Sequence, residues 1–246
     1  MTKYLSYLSL ILFFVLWHLF SVFKVIDPQF FPSPFLIMNR LILLLKTNEF
    51  RLDITSSLLR LFFGTIISVP LAYFTATITS HSIFFDRIIN PLIALTYPLP
   101  KVAIMPLLMI IFGIGDTFKI VIISLGMFYL LFINLHSSMI RIKNSRQGEI
   151  VKIFNVQGLN YFFHVLFKGS FLDFLLGFKA SLGYGLTLVV VSEFSMSKNG
   201  IGNFIWKGWD QFRILDMYAA IALLSIIGFF FYMFLDTVIK NKSKYY

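Results

Sequence analysis

The 246-residue chain contains no cysteine. That excludes a disulfide framework, a thiolate metal site and a cysteine nucleophile. Charge is scarce: Asp, Glu, Lys and Arg together make 13% of the chain, against about a quarter in soluble domains. Three enzyme signatures are missing: His-Glu-x-x-His, Gly-x-Ser-x-Gly, and a Gly-rich phosphate loop ending in Gly-Lys-Ser/Thr. No catalytic residue is therefore expected, and ATP hydrolysis by this chain is not expected. His18, His81, His136 and His164 are scattered without ligand spacing, so no metal and no cofactor is expected. Acidic residues number 11 against 21 basic ones, for a net charge of +10. What fills the chain is apolar: 58% hydrophobic residues, including 31 Phe. The solvent this implies is lipid. On so apolar a chain the basic residues mark the cytoplasmic ends of membrane helices rather than a nucleic-acid surface.

A spanning helix needs about 20 mostly apolar residues, since it rises about 1.5 Å per residue across about 30 Å of hydrocarbon. The apolar runs are continuous rather than alternating, which predicts helices and not a barrel. Six runs qualify: Tyr4–Phe23, Ser57–Thr79, Ile88–Ile114, Phe118–Met139, Phe171–Phe194 and Leu215–Ile239. The first is too long for a signal-peptide core and has no small-x-small cleavage site after it, so it reads as a retained anchor. The sequence thus predicts an all-α membrane protein of six transmembrane helices. Residues 1–56 form an N-terminal helix with an amphipathic segment, 57–240 the core, and 241–246 a basic tail. Within 35–50, the pattern of Leu36, Asn39, Arg40, Leu43, Leu44 and Lys46 predicts a helix. It either lies in the membrane interface or packs on the bundle.

Six spans put both termini on one side. The loop 140–170, with Arg141, Lys143, Arg146, Lys152 and Lys168, and the tail, with Lys240, Lys242 and Lys244, share it. These are the densest basic patches, which assigns them and both termini to the cytoplasm. Gly64, Ser68, Ala72, Ala76 and Ser80 recur every fourth residue, and Gly177, Ser181 and Gly185 repeat the device. Such stripes let another helix approach closely.

Two features could mark a polar path, and a third suits docking. Pro98 and Pro100 remove two backbone donors in mid-span and leave carbonyls in need of partners beside Lys101. This is either a translocation site or a structural kink. Lys179 and Glu193 are 14 residues apart and fall on roughly one helix face, about 21 Å apart along the axis. Either that face meets a wet path, or Lys179 snorkels to the headgroups and Glu193 sits at the far boundary. In the segment 140–170, Glu149, Ile150, Ile153, Phe154 and Val156 form a short amphipathic stretch. Gly158-Leu159-Asn160 breaks it, since Gly and Asn tolerate positive φ. Tyr161–Phe167 then resumes a helix. An exposed apolar elbow suits docking into another protein.

Several stretches, in order, resemble the inner-membrane permeases of bacterial ABC importers, most closely the sulfonate, taurine, nitrate and thiamine-precursor branch. They are Ser57–Gly64, Pro98–Ala103 with Pro106-Leu107, Phe112–Asp116 with Lys119, and Val191–Phe194 followed by Gly200-Ile201-Gly202. The family's cytoplasmic motif is Glu-Ala-Ala, three residues, Gly, nine residues, then Ile-x-Leu-Pro. Gly158 takes its Gly position. Lys152 then stands where the acid is usual, Ile153 and Phe154 where alanines are usual, and the closing Pro is lost.

The resemblance implies the type I importer permease fold. It implies a cytoplasmic ATPase subunit docking at Lys152, Ile153, Phe154, Gly158, Leu159 and Asn160. It implies an extracytoplasmic solute-binding protein meeting the loops around Gly113–Asp116 and Lys198–Arg213, and a second permease copy, likewise embedded in lipid. Trp206 and Trp209 in the latter loop are either part of that contact or interfacial anchors. The path would involve Pro98, Pro100, Lys101, Lys179 and Glu193. An ion-coupled secondary transporter is the alternative. It would want paired intramembrane carboxylates and inverted repeats, whereas Asp173, Asp216 and Asp236 sit near helix ends and no repeat is visible.

Overall fold

The computed structural model describes residues 2–154, 156, 158–194 and 197–243, with the side chains of residues 2–7, 10, 147 and 152 outside the described part. Every regular element described is helical. In chain order these are α1 (Thr2–Val22), α2 (Pro34–Leu44), α3 (Asn48–His81), α4 (Ile83–Thr96) and α5 (Met105–Phe112). There follow α6 (Asp116–Lys143), α7 (Arg146–Ile153), α8 (Gly158–Tyr161), α9 (Lys168–Phe194), α10 (Ile201–Asp210) and α11 (Ile214–Lys242). A 3-10 turn at Lys101–Ile104 precedes α5, and a π-helical stretch, Phe162–Phe167, joins α8 to α9.

Among the described residues, four helices are long and apolar enough to cross a bilayer: Asn48–His81, Asp116–Lys143, the continuous Gly158–Phe194 and Ile214–Lys242. Ile83–Thr96 and Lys101–Phe112 add a fifth if the two, bent by 94°, count as one span. The first expected run is helical as α1, and its described part Ile11–Val22 is a shorter apolar helix. The second, fourth, fifth and sixth runs appear where expected, with longer helices, whereas the third is split into the two bent helices α4 and α5. The second begins at Asn48, ahead of the apolar stretch, because helical backbone continues through polar residues that hydropathy discounts. Pro70 and Pro91 lie inside helices without ending them.

The chain forms two compact units, one of residues 1–57 and 193–227, the other of residues 58–192 and 228–246. In the first, α2 starts at Ser33, whose hydroxyl accepts the Leu36 N–H, and Pro34 sits in the first turn where no N–H is needed. Ile37, Leu41 and Leu44 are buried, while Phe35, Leu36 and Leu43 face outward. So α2 packs on its unit by one face and keeps an apolar outer face. Arg40 clamps it, with Nε 2.5 Å and Nη2 3.2 Å from the two oxygens of the buried Asp216 carboxylate. That bond holds the Arg40 guanidinium above its already high ordinary pKa, so it stays charged. Phe50, fully buried, packs 4.7 Å from Phe204 between ring centres.

In the second unit α6 is the hub. Phe118, Ile122, Ile123, Met127, Leu131, Leu135 and Met139 along it are fully buried. The small-residue stripes explain how. Ser68, Ala72 and Ala76 of α3 and Ser181 of α9 are also fully buried. Thr77 and Ser80 hydroxyls reach Met139 Sδ at 3.8 and 3.7 Å. Lipid is as apolar as Leu, so burial alone gives no drive for helices to associate there. Close van der Waals contact does, and small residues permit it.

Candidate functional site

The break between α4 and α5 lies where two prolines were expected to interrupt the third span. Pro98 and Pro100 are exposed, and the chain turns by 94° around them. The end of α4 leaves carbonyls without helical partners. Lys101 Nζ donates to three carbonyls there: Thr96 at 2.8 Å, Tyr97 at 3.2 Å and Leu99 at 3.1 Å. The cation gains three acceptors, of which the Thr96 carbonyl also takes the Leu99 N–H at 3.3 Å. Lys101 is only 4% exposed, and its Nζ lies 4.0 Å from the centre of the Tyr129 ring. The Tyr129 hydroxyl donates to Thr96 Oγ1 at 2.9 Å. A cavity of about 250 Å³ opens beside the break, lined by the 97–101 segment together with Gly126, Tyr129, Leu130 and Tyr184.

The other two path candidates have partners of their own. Lys179 Nζ sits 2.8 Å from Asp236 Oδ1 and 3.5 Å from the Tyr232 ring centre. Lys240 Nζ takes the other Asp236 oxygen at 2.6 Å. Glu193 is fully buried. Both of its carboxylate oxygens lie 2.8 Å from the Ser57 hydroxyl, and one accepts the Gly202 N–H at 2.8 Å. Ser57 Oγ in turn accepts Ile201 N–H at 2.8 Å, and Asp53 accepts Gly200 N–H at 2.7 Å. Ser57, Glu193 and Asp53 therefore cap the N-terminus of α10, where free N–H groups and the helix dipole favour negative charge.

The α10 helix is itself a correction. The stretch 198–213 was expected to be an outer loop, but Ile201–Asp210 is helical, with Ile201, Ile205 and Gly208 buried at intervals of four and three residues. That spacing was the overlooked signal. Trp206 and Trp209 are exposed on it.

Ionic links between helices were also missed. Arg60 Nη2 is 2.8 Å from Asp116 Oδ1, and Lys119 Nζ is 3.6 Å from the same oxygen. Arg60 and Lys119 are buried, and Asp116 opens α6 just after the Gly113 turn, where φ is +78°. Asp86 pairs with His136 at 2.9 Å and accepts Asn90 at 2.6 Å, joining α4 to α6. Asp173 binds Ser138 at 2.6 Å and also Arg141, joining α9 to α6. Charges at helix ends carry no pairing information in a linear sequence.

Two helices flank the expected docking elbow. The α7 helix ends at Ile153, and α8 starts at Gly158, which adopts φ +64°. Only Gly adopts this without strain. Asn160, expected to share the break, is helical. Ile153, Phe154 and Leu159 are 78%, 75% and 75% exposed. The Lys152 side chain lies outside the described residues, as do residues 155 and 157 and, in the tail, Lys244.

Residues 68–245 match the family described as "Binding-protein-dependent transport system inner membrane component". The chain is 26% identical over 237 residues to the taurine transport system permease protein TauC of Escherichia coli K12, covering 92% of this chain and 83% of that one. It is 22% identical over 213 residues to the putative aliphatic sulfonates transport permease protein SsuC of Bacillus subtilis 168, covering 87% and 77%. It is 21% identical over 221 residues to the formylaminopyrimidine transport permease protein ThiX of Halalkalibacterium halodurans, covering 90% and 87%. These relatives are transport permeases, not enzymes. Helices able to cross a bilayer, a span broken around a buried lysine and an apolar elbow all suit such a protein, and this chain belongs to the binding-protein-dependent transport system inner-membrane component family.

Proposed function

We propose that the chain is the membrane-spanning permease subunit of an ATP-driven importer for a small solute of the sulfonate, taurine, nitrate or thiamine-precursor class. Family membership and the names of the three relatives support the solute class. The observation that carries the ATP coupling is the elbow: three large apolar side chains, Ile153, Phe154 and Leu159, exposed around a glycine with positive φ. Exposed apolar residues beside basic ones fit a groove on another protein. In this reading six helices span the membrane, α4 and α5 forming one, with both termini in the cytoplasm. Two copies pair, and the path runs along the break at Pro98, Pro100 and Lys101. Lys179 ties α9 to α11, and Glu193 ties α9 to α10. An ATPase pair closes on ATP and moves the elbow as a rigid body, and an external binding protein delivers the solute. ATP drives the cycle only because it binds one state more tightly.

The test is uptake of taurine into proteoliposomes holding this chain, its ATPase and its binding protein. Uptake should require internal ATP, stop with orthovanadate and survive collapse of ion gradients. Uptake without the ATPase, driven by an ion gradient, would establish the secondary-transporter alternative instead.

A further inference from the structure

The cavity at the break is more than a gap beside a kink. Its lining contains a buried cation whose charge nothing cancels. Lys101 is 4% exposed, and no carboxylate among the described residues pairs with it. Its ammonium hydrogens point to three carbonyl oxygens, and its remaining contact is the face of the Tyr129 ring. Neutral dipoles solvate a charge but leave its long-range field intact, and in a poorly polar surrounding that field reaches farther than in water. The adjoining space of about 250 Å³ is therefore held at positive potential.

The same cavity carries uncommitted donors. The Tyr97 and Tyr184 hydroxyls make no hydrogen bond among the described residues, and both side chains line the space. Gly126 on α6 leaves room for Tyr184: a Cβ there would fall 2.9 Å from Tyr184 Cε1 and 2.1 Å from Leu188 Cδ1, and both side chains would have to shift. We propose that this cavity is an anion subsite. Tyr97 and Tyr184 donate hydrogen bonds to an anionic oxo group of a small solute. Lys101 sets the charge preference through its field while bracing the bend, as a positioning residue that does not touch the solute. The inference deepens the permease reading and rests on it only for the statement that the bound solute is the transported one.

The absence of native cysteine gives a clean test, since Leu99→Cys places the sole thiol on the cavity wall. The full-length variant in membranes is treated with two methanethiosulfonate reagents, one bearing a sulfonate and one a trimethylammonium group. Rates are normalised to those with a free thiol in solution. The sulfonate reagent should react about tenfold faster, the size expected for one nearby unit charge. Lys101→Met on this background should abolish the preference, and Lys101→Arg should keep it. Ethanesulfonate should slow the reaction, and Tyr97→Phe with Tyr184→Phe should weaken that protection. Equal rates, a preference for the cation, or a preference that survives Lys101→Met would overturn the subsite. If Lys101→Met does not accumulate, the charge preference and ethanesulfonate protection of Leu99→Cys alone decide the matter. The labelling needs no ATP, ATPase or binding protein. Failed ATP-driven uptake with intact charge preference would sink the permease reading and leave the subsite standing, and the converse result would do the reverse.

Discussion

Replacing Glu193 separates a bracing role from a path role. Its carboxylate is fully buried and receives Gly202 N–H at 2.8 Å, with the Ser57 hydroxyl at 2.8 Å from both oxygens. Glu193→Ala leaves the buried Gly202 N–H without that acceptor, at about 1–3 kcal/mol. It also removes a negative charge from the start of α10, worth about 0.3–1 kcal/mol. The expected loss is about 1–4 kcal/mol. Ser57 and Asp53 still accept from Ile201 and Gly200, so the cap is weakened rather than erased. Glu193→Gln keeps one acceptor oxygen and should lose about 1 kcal/mol. Thermal unfolding in detergent ranks the three proteins. Trp206 and Trp209 lie on α10, so in a Trp17→Phe background their emission reports whether that helix loosens first. Loss of uptake by Glu193→Ala with unchanged stability and emission would refute the capping argument and return Glu193 to the solute path.

Three further outcomes follow from the packing and the elbow. Phe154→Asp should leave thermal stability within about 0.5 kcal/mol, because the side chain is 75% exposed, while abolishing co-purification with the ATPase; retained co-purification would show that docking lies elsewhere. Ala76→Leu on the fully buried face of α3 should destabilise by about 1–3 kcal/mol through overpacking against α6, and a neutral result in thermal unfolding would mean the two helices are not closely packed there. A double-mutant cycle of Arg40→Ala with Asp216→Asn should give a coupling of about 1 kcal/mol, since the bidentate pair is strong in geometry but Arg40 is partly solvated; zero coupling would leave α2 held by its apolar face alone.

Much of the fold was legible because lipid forces long apolar runs to be helices, and the runs are long. The small-residue stripes were legible for the same reason. Ser68, Ala72 and Ala76 repeat at the helical period, and close packing between helices is what drives association in lipid. The break was legible because Pro98 and Pro100 lack N–H groups. The role of Lys101 was not, since a sequence does not tell which carbonyls a four-carbon stem can reach. The α10 helix was hidden by its charges and tryptophans, although Ile201, Ile205 and Gly208 carried its period. Glu193 and Ser57 were separately visible, Asp53 was passed over, and the three were jointly invisible. Their shared task exists only once residues far apart in sequence meet at one helix end.

The two interruptions in the second unit are built in opposite ways, and the difference suits the two roles proposed for them. At the α4–α5 break the polar bonds look inward, although Pro98 and Pro100 are exposed. A buried lysine bonds three carbonyls and packs against Tyr129, whose hydroxyl returns to Thr96. Straightening that bend would strand a charge and its acceptors in a poorly polar place, which is costly. At the elbow the large apolar side chains look outward. Among the described residues beyond its chain neighbours, Gly158 has no atom within 4 Å of where a Cβ would stand, and Ile153, Phe154 and Leu159 bury little against their own chain. Moving it sacrifices few internal contacts, and covering it gains apolar burial. The first interruption therefore has the character of a fixed wall and the second that of a handle. A coupling device must be gripped where the chain has least to lose, and a selectivity site must stay put while the rest of the molecule moves.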